Sequence, residues 1–289
     1  MIYVQIKAGL GNQMFQYAFG RALSIKRNEP LALDISWYEN QSAKDTRRSF
    51  LLDKYPISAR IASAEELKIY KKPWRMLLRK ILRRLNYKKD FIFHPSLFKS
   101  KQNYFEGHWS NEKYFKKYEE IIRKELIPIP PLSFEAETLY REIKELISQG
   151  IIPISIHVRR GDCVTNPHAA NYQGTVDTTY YDKAYEYIAS KFNKDKIVFF
   201  LFSDDIEWAK NNILPYAKKI FVSCPEIPAY EEAHLMSKCT NHIIANSSFS
   251  WWSAWLNPNP EKIVIAPARW LKDTSFDTSD VCPEEWIRI

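Results

Sequence analysis

Four short segments of the sequence carry groups that suit the binding of a phosphorylated ligand. They are KAGLGNQ at 7–13, HVRRGD at 157–162, FSDD at 202–205 and NSSFSWW at 246–252. Helix starts offer free N–H groups to phosphates, arginines grip phosphates bidentately, and carboxylates and hydroxyls bind sugar hydroxyls or base amines. No Ser-His-Asp order, metal cluster or lysine nucleophile competes with that chemistry. These residue types therefore favour recognition of a nucleotide diphosphate.

The second segment follows an apolar run, GIIPISI, which predicts a buried strand ending at a histidine and two arginines. Side chains alternate along a strand, so His157 and Arg159 share one side and Arg160 points to the other. We expect Arg159 to face an anionic ligand and Arg160 to pair with a carboxylate of the sheet or of an adjoining helix. Two alternatives stay open: a structural salt bridge to Asp162, and an exposed RGD loop displayed to an adhesion partner.

The third and fourth segments also follow apolar strands. They supply Ser203, Asp204, Asp205, Asn246, Ser247 and Ser248. The two carboxylates suit ribose hydroxyls or a base amine, and could instead bind a metal or cap the next helix. A metal would need more oxygen ligands than the sequence places nearby. The asparagine and serines precede an aromatic-rich helix, where their hydroxyls and free N–H groups face a ligand or only cap the helix.

The first segment lies between a predicted strand and a predicted helix. Gly9 and Gly11 are two of only 7 glycines in 289 residues, so this turn has a reason to need them. Met14 stands where a G-x-G-x-x-G fingerprint has its third glycine, and the segment is not a Walker loop. Either its backbone approaches a phosphate or sugar oxygen, or it is an ordinary tight β–α turn.

Alternating elements must position these segments. The apolar patterns predict strands at 2–6, 31–35, 152–158, 197–202, 219–222, 242–245 and 263–266, and helices at 12–26, 134–149, 178–192, 205–213, 228–239 and 247–256. This order is typical of parallel, doubly wound sheets, which bind ligands beyond the carboxyl ends of their strands. We place a domain boundary near Gly150, which gives domains 1–150 and 151–289. Trp251, Trp252 and Trp255 are expected in the core.

The net charge of +8 is concentrated in residues 71–89, which hold nine basic residues and no acidic one. Apolar residues recur there with helical spacing, which fits a helix lying on an anionic membrane surface or an ordinary surface helix. Nucleic-acid binding is a weaker alternative, because no motif accompanies the patch. Four scattered cysteines, and the lack of an export signal or of about 18 consecutive apolar residues, predict a cytoplasmic protein.

The motifs GLGNQMFQYAFGRAL, HVRRGD, FSDD and NSSFSWWSAWL, in this order, resemble those of glycosyltransferase family 11, the α-1,2-fucosyltransferases, and specifically its bacterial members. The resemblance spans about residues 1–270, although 36–130 contribute little. It implies a GT-B-like α/β fold, with two Rossmann-like α/β domains facing across a cleft. It also implies GDP-L-fucose as the donor, no required metal or other cofactor, and inversion at the anomeric carbon of fucose.

The resemblance also assigns roles to individual residues. Arg159 matches the arginine that holds the donor pyrophosphate, and His157 matches a neighbour in that site. Asp204 and Asp205 match an acidic pair associated with the nucleotide, and Ser247 and Ser248 match hydroxyls near the phosphates. Gly11 and Asn12 match the loop that closes over the donor from the first domain. Ser203 and Asn246 are assigned to the same donor site. Asp162 and His168 are the nearest candidates for a general base, since Pro167 stands where a related α-1,6 class has glutamate. The base could also lie elsewhere, or the diphosphate itself could take the proton.

Together these observations predict an inverting α-1,2-fucosyltransferase that uses a galactose-terminated glycan as acceptor. The first domain would bind the acceptor and the second the donor. The basic segment 71–89 suggests a lipid-linked acceptor and peripheral contact with the inner face of the bacterial cytoplasmic membrane. A fucosyltransferase of another linkage, a basic nucleic-acid-binding protein and an RGD-displaying adhesion protein are the alternatives.

Overall fold

The computed structural model describes residues 1–41, 46–74, 77 and 91–289, except for the side chains of Asp162 and His168. The chain forms two compact units. The first unit comprises Met1–Ile127 and Thr274–Pro283, and the second comprises Pro128–Asp273 and Glu284–Ile289. Most of the basic segment 71–89 lies outside the described residues, so its predicted membrane contact stays a prediction.

The first unit is built on a four-stranded parallel sheet. Its strands are β1 (Ile2–Gln5), β2 (Leu31–Asp34), β3 (Arg60–Ile61) and β4 (Tyr104–Phe105), in the order β3-β2-β1-β4. Its helices are α1 (Leu10–Arg27), α2 (Ala64–Lys68) and α3 (Glu119–Glu125). This is the parallel β-α-β opening that the sequence predicts.

Helix α1 forms because its core-facing residues are apolar and both its ends are defined. It follows Gly9 in extended conformation and stops at Asn28, whose left-handed backbone caps the last turn. Phe19 stacks on Trp109 with ring centroids 4.1 Å apart. A Cβ at Gly20 would lie 2.8 Å from Val4, so glycine lets the helix approach β1 closely. The helix is thereby fixed against the strand that precedes it.

The second unit holds a six-stranded parallel sheet. Its strands are β5 (Ile152–Val158), β6 (Ile197–Ser203), β7 (Lys219–Phe221), β8 (Asn241–Ile243), β9 (Val264–Ala266) and β10 (Ile287–Arg288). Its helices are α4 (Phe134–Ser148), α5 (Gly161–Thr165), α6 (Pro167–Tyr172), α7 (Thr178–Lys191), α8 (Ile206–Asn212), α9 (Ala229–Lys238) and α10 (Ser248–Leu256). The strand order β10-β9-β8-β5-β6-β7 is that of a doubly wound Rossmann sheet.

The sheet of the second unit is covered on both faces, which explains its continuous apolar strands. Ile154 and Ile156 of β5 share one buried cluster with Tyr181 and Ala184 of α7. Phe200 of β6 belongs to a second cluster, together with residues of α4 and α9. The predicted core positions of Trp251, Trp252 and Trp255 are confirmed, since all three are buried.

The predicted domain boundary near Gly150 needs correction. Helix α4 belongs to the second unit, because Ala136 and Ile143 pack in the same cluster as Phe200. The backbone N–H and hydroxyl of Ser133 also donate to Glu231 of α9. The division therefore falls after Ile127, and residues 274–283 return to the first unit. Within the described ranges, no helix is both long and apolar enough to cross a membrane.

Candidate functional site

The sheet of the second unit changes direction between β5 and β8, which are neighbours although three strands apart in the order of the chain. Connections leave this point in opposite directions, which opens a crevice at the carboxyl ends of the two strands. The segments that follow these strands begin with Arg159 and Ile244. The HVRRGD and NSSFSWW motifs thus lie at the place where doubly wound folds bind nucleotides.

Arg159 is held at the end of β5 by Asp204, which follows β6. Its Nη1 lies 2.8 Å from Oδ2 of Asp204. The other carboxylate oxygen accepts the backbone N–H groups of Arg160 and Gly161 at 2.8 and 3.0 Å. One carboxylate thereby fixes both the guanidinium and the turn that carries it. Asp204 is thus a structural partner of Arg159. The alternative salt bridge to Asp162 falls on a side chain outside the described residues and stays a prediction.

Gly161 is required by this close approach. An ideal Cβ at this position would lie 2.5 Å from Oδ2 of Asp204, a distance that real Cβ atoms essentially never show. Any larger residue would push the carboxylate away from Arg159 or displace the turn. The glycine of the HVRRGD motif therefore serves packing against Asp204.

Arg160 takes the structural position that strand alternation predicts. Its Nε donates to Asp205 at 3.2 Å, and its guanidinium lies 3.6 Å from the ring centroid of Trp208 in α8. Asp205 in turn caps α8 by accepting the N–H of Trp208. Arg160 is therefore held against α8, and Gly161 is held by Asp204, which disfavours the alternative of an exposed RGD loop.

His157 joins β5 to the first turn of α10. Its Nδ1 lies 3.0 Å from Oγ of Ser250, and that hydroxyl donates to the carbonyl of Ser247. Burial lowers the pKa of His157 to about 4, so the ring is neutral near pH 7. The histidine therefore adds no positive charge to the site.

The NSS segment mainly secures the start of α10 and a neighbouring loop. Ser247 is the N-cap of the helix and accepts the N–H of Phe249, while Ser248 is the first helical residue. Asn246 donates through Nδ2 to the carbonyls of Gln173 and Gly174. Its Oδ1 is buried and meets no hydrogen-bond partner within the described chain. That oxygen is an acceptor still available to a donor group.

The sequence analysis did not single out Glu232, which lies on α9 beside this site. The pKa of Glu232 is raised to about 7, mainly by burial and in part by the negative charge of Asp204, against a hydrogen bond from Ser223 that lowers it. Ser223 also accepts the N–H of Ser203, whose hydroxyl accepts the N–H of Asp205. The order of the strands, rather than a local sequence motif, brings this glutamate close to the residues that follow β6. The sequence alone therefore does not mark it. A perturbed carboxyl at a strand edge is itself a signal of function.

The structure brings together ten of the twelve residues that the sequence nominates. They lie at the carboxyl ends of β5 and β6 or in the segments that follow β5, β6 and β8 of the second unit: His157, Arg159, Asp162, His168, Ser203, Asp204, Asp205, Asn246, Ser247 and Ser248. Asp162 and His168 are placed by their backbones, in α5 and α6. The arrangement presents a guanidinium, helix N–H groups, carboxylates and neutral acceptors along one edge. It can hold a diphosphate, a sugar and a base.

Gly11 and Asn12 lie in the first unit, in the first turn of α1 rather than in a loop. Their predicted role of closing over the donor stays a prediction. The turn itself is Ala8 and Gly9, because the N–H groups of Asn12 and Gln13 already donate to Gly9. Within the described part of the chain, no group of three or more His, Cys, Asp or Glu could hold a metal ion.

The chain has relatives among known enzymes. An Escherichia coli α-1,2-colitosyltransferase is 36% identical over 305 residues, which cover 100% of this chain and 99% of the relative. The O-antigen biosynthesis glycosyltransferase WbnK, also of Escherichia coli, is 32% identical and fully covered. Both are similar to this chain along its whole length.

Solved structures show the same fold at low identity. The fucosyltransferase NodZ from Bradyrhizobium superposes with a TM-score of 0.52 at 14% identity, over 89% of this chain and 92% of NodZ. NodZ soaked with GDP-fucose gives a TM-score of 0.50 over the same shares. The predicted GT-B class of α/β fold is thereby confirmed. The family model of glycosyl transferase family 11 matches residues 1–289. The chain therefore belongs to glycosyl transferase family 11.

Proposed function

We propose that the protein transfers L-fucose, or a closely related deoxy sugar, from a GDP-linked donor to a galactose-terminated glycan in α-1,2 linkage with inversion. The family and the 36% identical α-1,2-colitosyltransferase support a sugar transferase of this linkage. The donor would bind in the second unit and the acceptor in the first. No metal or other cofactor is needed in this proposal.

The observation that carries the proposal is Arg159 at the switch point of the second sheet. It follows β5 where the connections after β5 and β8 leave in opposite directions, and Asp204 holds its guanidinium. Arg159 follows β5 and α10 follows β8, so the arginine and the N-terminus of α10, whose N-cap is Ser247, lie at the same edge of the sheet. A diphosphate placed there meets a fixed cation and free helix N–H groups at once.

The reaction would be a single displacement. The bond between the anomeric carbon and the diphosphate oxygen breaks while the acceptor oxygen bonds to the opposite face, and the proton of the acceptor hydroxyl passes to a base. The diphosphate gains negative charge as it leaves, and Arg159 and the start of α10 stabilise that charge. Asp162 and His168 remain the proposed bases. His157 is an unsuitable base, since its low pKa makes it a poor proton acceptor.

The donor could be GDP-L-fucose or GDP-colitose. The similarity to a colitosyltransferase favours testing both. Colitose is L-fucose without the 3-hydroxyl, so a site built to hydrogen-bond that hydroxyl would reject colitose, while a site without such a partner would accept both. The ratio of kcat/KM for the two donors decides between them.

Calorimetric titration with GDP tests the donor site. We expect saturable binding that Arg159→Ala weakens by about 10²-fold, because removing a charged partner of a phosphate costs roughly 2–3 kcal/mol. Arg141→Ala is the matched control, since Arg141 forms an exposed pair with Glu137 in the same unit. Wild-type-like binding by Arg159→Ala would refute the assignment.

A transfer assay identifies the acceptor. Wild-type protein is incubated with GDP-L-fucose or GDP-colitose and a panel of oligosaccharides that end in galactose or in other sugars. We expect transfer to the 2-hydroxyl of terminal galactose, read by mass and linkage analysis. Transfer to another hydroxyl, or only to acceptors that lack galactose, would contradict the proposal.

A further inference from the structure

Two buried glutamines of α1, Gln13 and Gln16, connect separate parts of the first unit. Both have no exposed surface. Nε2 of Gln13 donates to the carbonyls of Ala8 and Ser49, and its Oε1 accepts the N–H of Leu51. Both donors and the oxygen of this amide are thereby engaged by backbone, of the turn at Ala8 and of the distant segment 49–51. A hydrophobic residue of this volume could fill the space but could make none of these bonds.

Gln16 does the same for two other segments. Its Oε1 accepts the N–H of Lys7 at 2.9 Å, and its Nε2 donates to the carbonyl of Gly107 at 3.2 Å. The residues held by both glutamines belong to three loops, which we call the edge loops: 7–9, 49–51 and 107–109. Two of them follow β1 and β4, which are parallel neighbours, so these two loops lie at the carboxyl edge of the first sheet. In α/β sheets this edge is where ligands bind.

The edge loops contain unusual backbone that needs such support. Ala8 and Trp109 both have positive φ, 65° and 49°, although neither is glycine. Bulky residues rarely adopt this conformation, and it persists only where the surroundings fix it. The carbonyl of Ala8 accepts from both Gln13 and the hydroxyl of Tyr38. Trp109 is stacked on Phe19. Strained, over-determined backbone of this kind is typical of binding sites.

We propose that Gln13 and Gln16 are positioning residues for the glycan acceptor, because they set the edge loops that contact it. This inference rests on the proposed function, in which the first unit binds the acceptor. The glutamines do not touch the acceptor, since they are fully buried. They act by fixing the backbone of Ala8 and of 107–109. Loss of either amide should loosen the acceptor site and leave the donor site of the second unit unchanged.

The test uses full-length Gln13→Met and Gln16→Met, which keep the side-chain volume and remove the hydrogen bonds. Using the best acceptor from the panel, we expect the acceptor KM to rise about tenfold or more. The Kd for GDP should stay within about twofold. Tyr17→Phe is the matched control on the same buried helix, since its hydroxyl contacts Ser58 and Glu125 instead of the edge loops. It should lower thermal stability without raising the acceptor KM.

A second variant, Gly107→Ala, perturbs the edge loop 107–109 without changing a residue of α1. A Cβ at Gly107 would lie 2.8 Å from the ring of Trp109, so Gly107→Ala should shift the third edge loop and also raise the acceptor KM. The inference is refuted if the glutamine variants keep a normal acceptor KM, or if they weaken GDP binding as much as acceptor use. If wild-type protein binds no GDP and modifies no acceptor, the proposed function fails first and the inference falls with it. A glutamine variant that does not fold leaves Gly107→Ala to decide, and a normal acceptor KM there refutes the inference.

Discussion

At the scale of single residues, the acidic pair after β6 acts on the arginines rather than standing free for a ligand. Asp204 orients Arg159 and holds the turn at Gly161, while Asp205 caps α8 and holds Arg160. Much of the hydrogen-bonding capacity of these carboxylates, which were expected to bind nucleotide hydroxyls, is thus used within the protein. Their main effect on a bound diphosphate would be to set the direction of the guanidinium.

Gly161→Ala tests this coupling without removing a charge. The new Cβ would collide with Asp204, so we expect GDP affinity to fall about tenfold, and the free energy of unfolding to drop by about 1–2 kcal/mol. Isothermal titration and denaturant unfolding measure the two effects. The matched control is Ala169→Ser, a small change in the nearby helix α6. Unchanged GDP binding by Gly161→Ala would show that Asp204 does not position Arg159.

Glu232→Gln tests the perturbed carboxyl. The pKa of Glu232 is about 7 in the folded protein, above its ordinary value of 4.5, so its contribution to stability is full below pH 4.5 and is lost as the pH rises toward 7. Glutamine carries no charge, so the variant should be more stable than wild type at pH 8, by on the order of 1 kcal/mol, and similar at pH 4.5. Thermal melts at both pH values measure this. Glu207→Gln, an exposed carboxyl of the same unit, should show no such difference.

At the scale of elements, helix α4 is fixed to the second unit by a buried carboxylate. Glu231 of α9 is 2% exposed and accepts both the N–H and the hydroxyl of Ser133, the N-cap of α4. Apolar packing of Ala136 and Ile143 completes the contact. The start of α4 therefore depends on a residue almost 100 positions later in the chain.

Glu231→Ala should consequently release the start of α4. Both donors of Ser133 lose their partner, so we expect the free energy of unfolding to fall by about 2–3 kcal/mol. Denaturant titration measures the loss, and hydrogen exchange should locate it in α4 and α9. Glu137→Ala removes an exposed carboxyl of α4 as the control and should cost less than about 0.5 kcal/mol. A loss confined to the first unit would contradict this account.

Local patterns predicted most elements, but they could not predict contacts between distant segments. Strand alternation placed Arg159 and Arg160 on their two sides, because that rule acts between neighbours. The bond from Arg160 to Asp204 spans 44 residues and depends on β5 and β6 being adjacent. Glu232 looks like any polar position of an amphipathic helix. For the same reason α4 was assigned to the wrong unit, since its partners lie far along the chain.

At the scale of the whole molecule, the two units contain different sets of buried ionisable groups with shifted pKa values. Burial lowers the pKa of His157 and His234 to about 4 and that of His242 to about 3, and all three lie in the second unit. In the first unit, hydrogen bonds lower the pKa of Asp34 and Glu125 despite their burial. Tyr104 donates to Asp34, and Arg21 and Tyr17 donate to Glu125.

The two units should therefore respond to acid at different pH values. A buried neutral histidine contributes stability that is complete above its unfolded pKa of 6.5 and is lost as the pH falls toward 4. A paired carboxylate contributes stability that is lost only below its unfolded pKa of about 4. The raised pKa of Glu232 makes the second unit more stable as the pH falls, which opposes the effect of the histidines. One carboxyl group does not offset three histidines.

We expect the second unit to lose protection between about pH 6.5 and 4, and the first unit only at lower pH. Hydrogen exchange with mass spectrometry, measured at pH 7.5, 5.5 and 4 with rates corrected for intrinsic exchange, reads the two units separately. Glu125→Gln is the internal control: it should weaken the first unit at pH 7.5, because Arg21 loses its carboxylate, and leave the acid response of the second unit in place. Simultaneous loss of protection in both units would mean that histidine burial does not set the pH at which the second unit unfolds in acid.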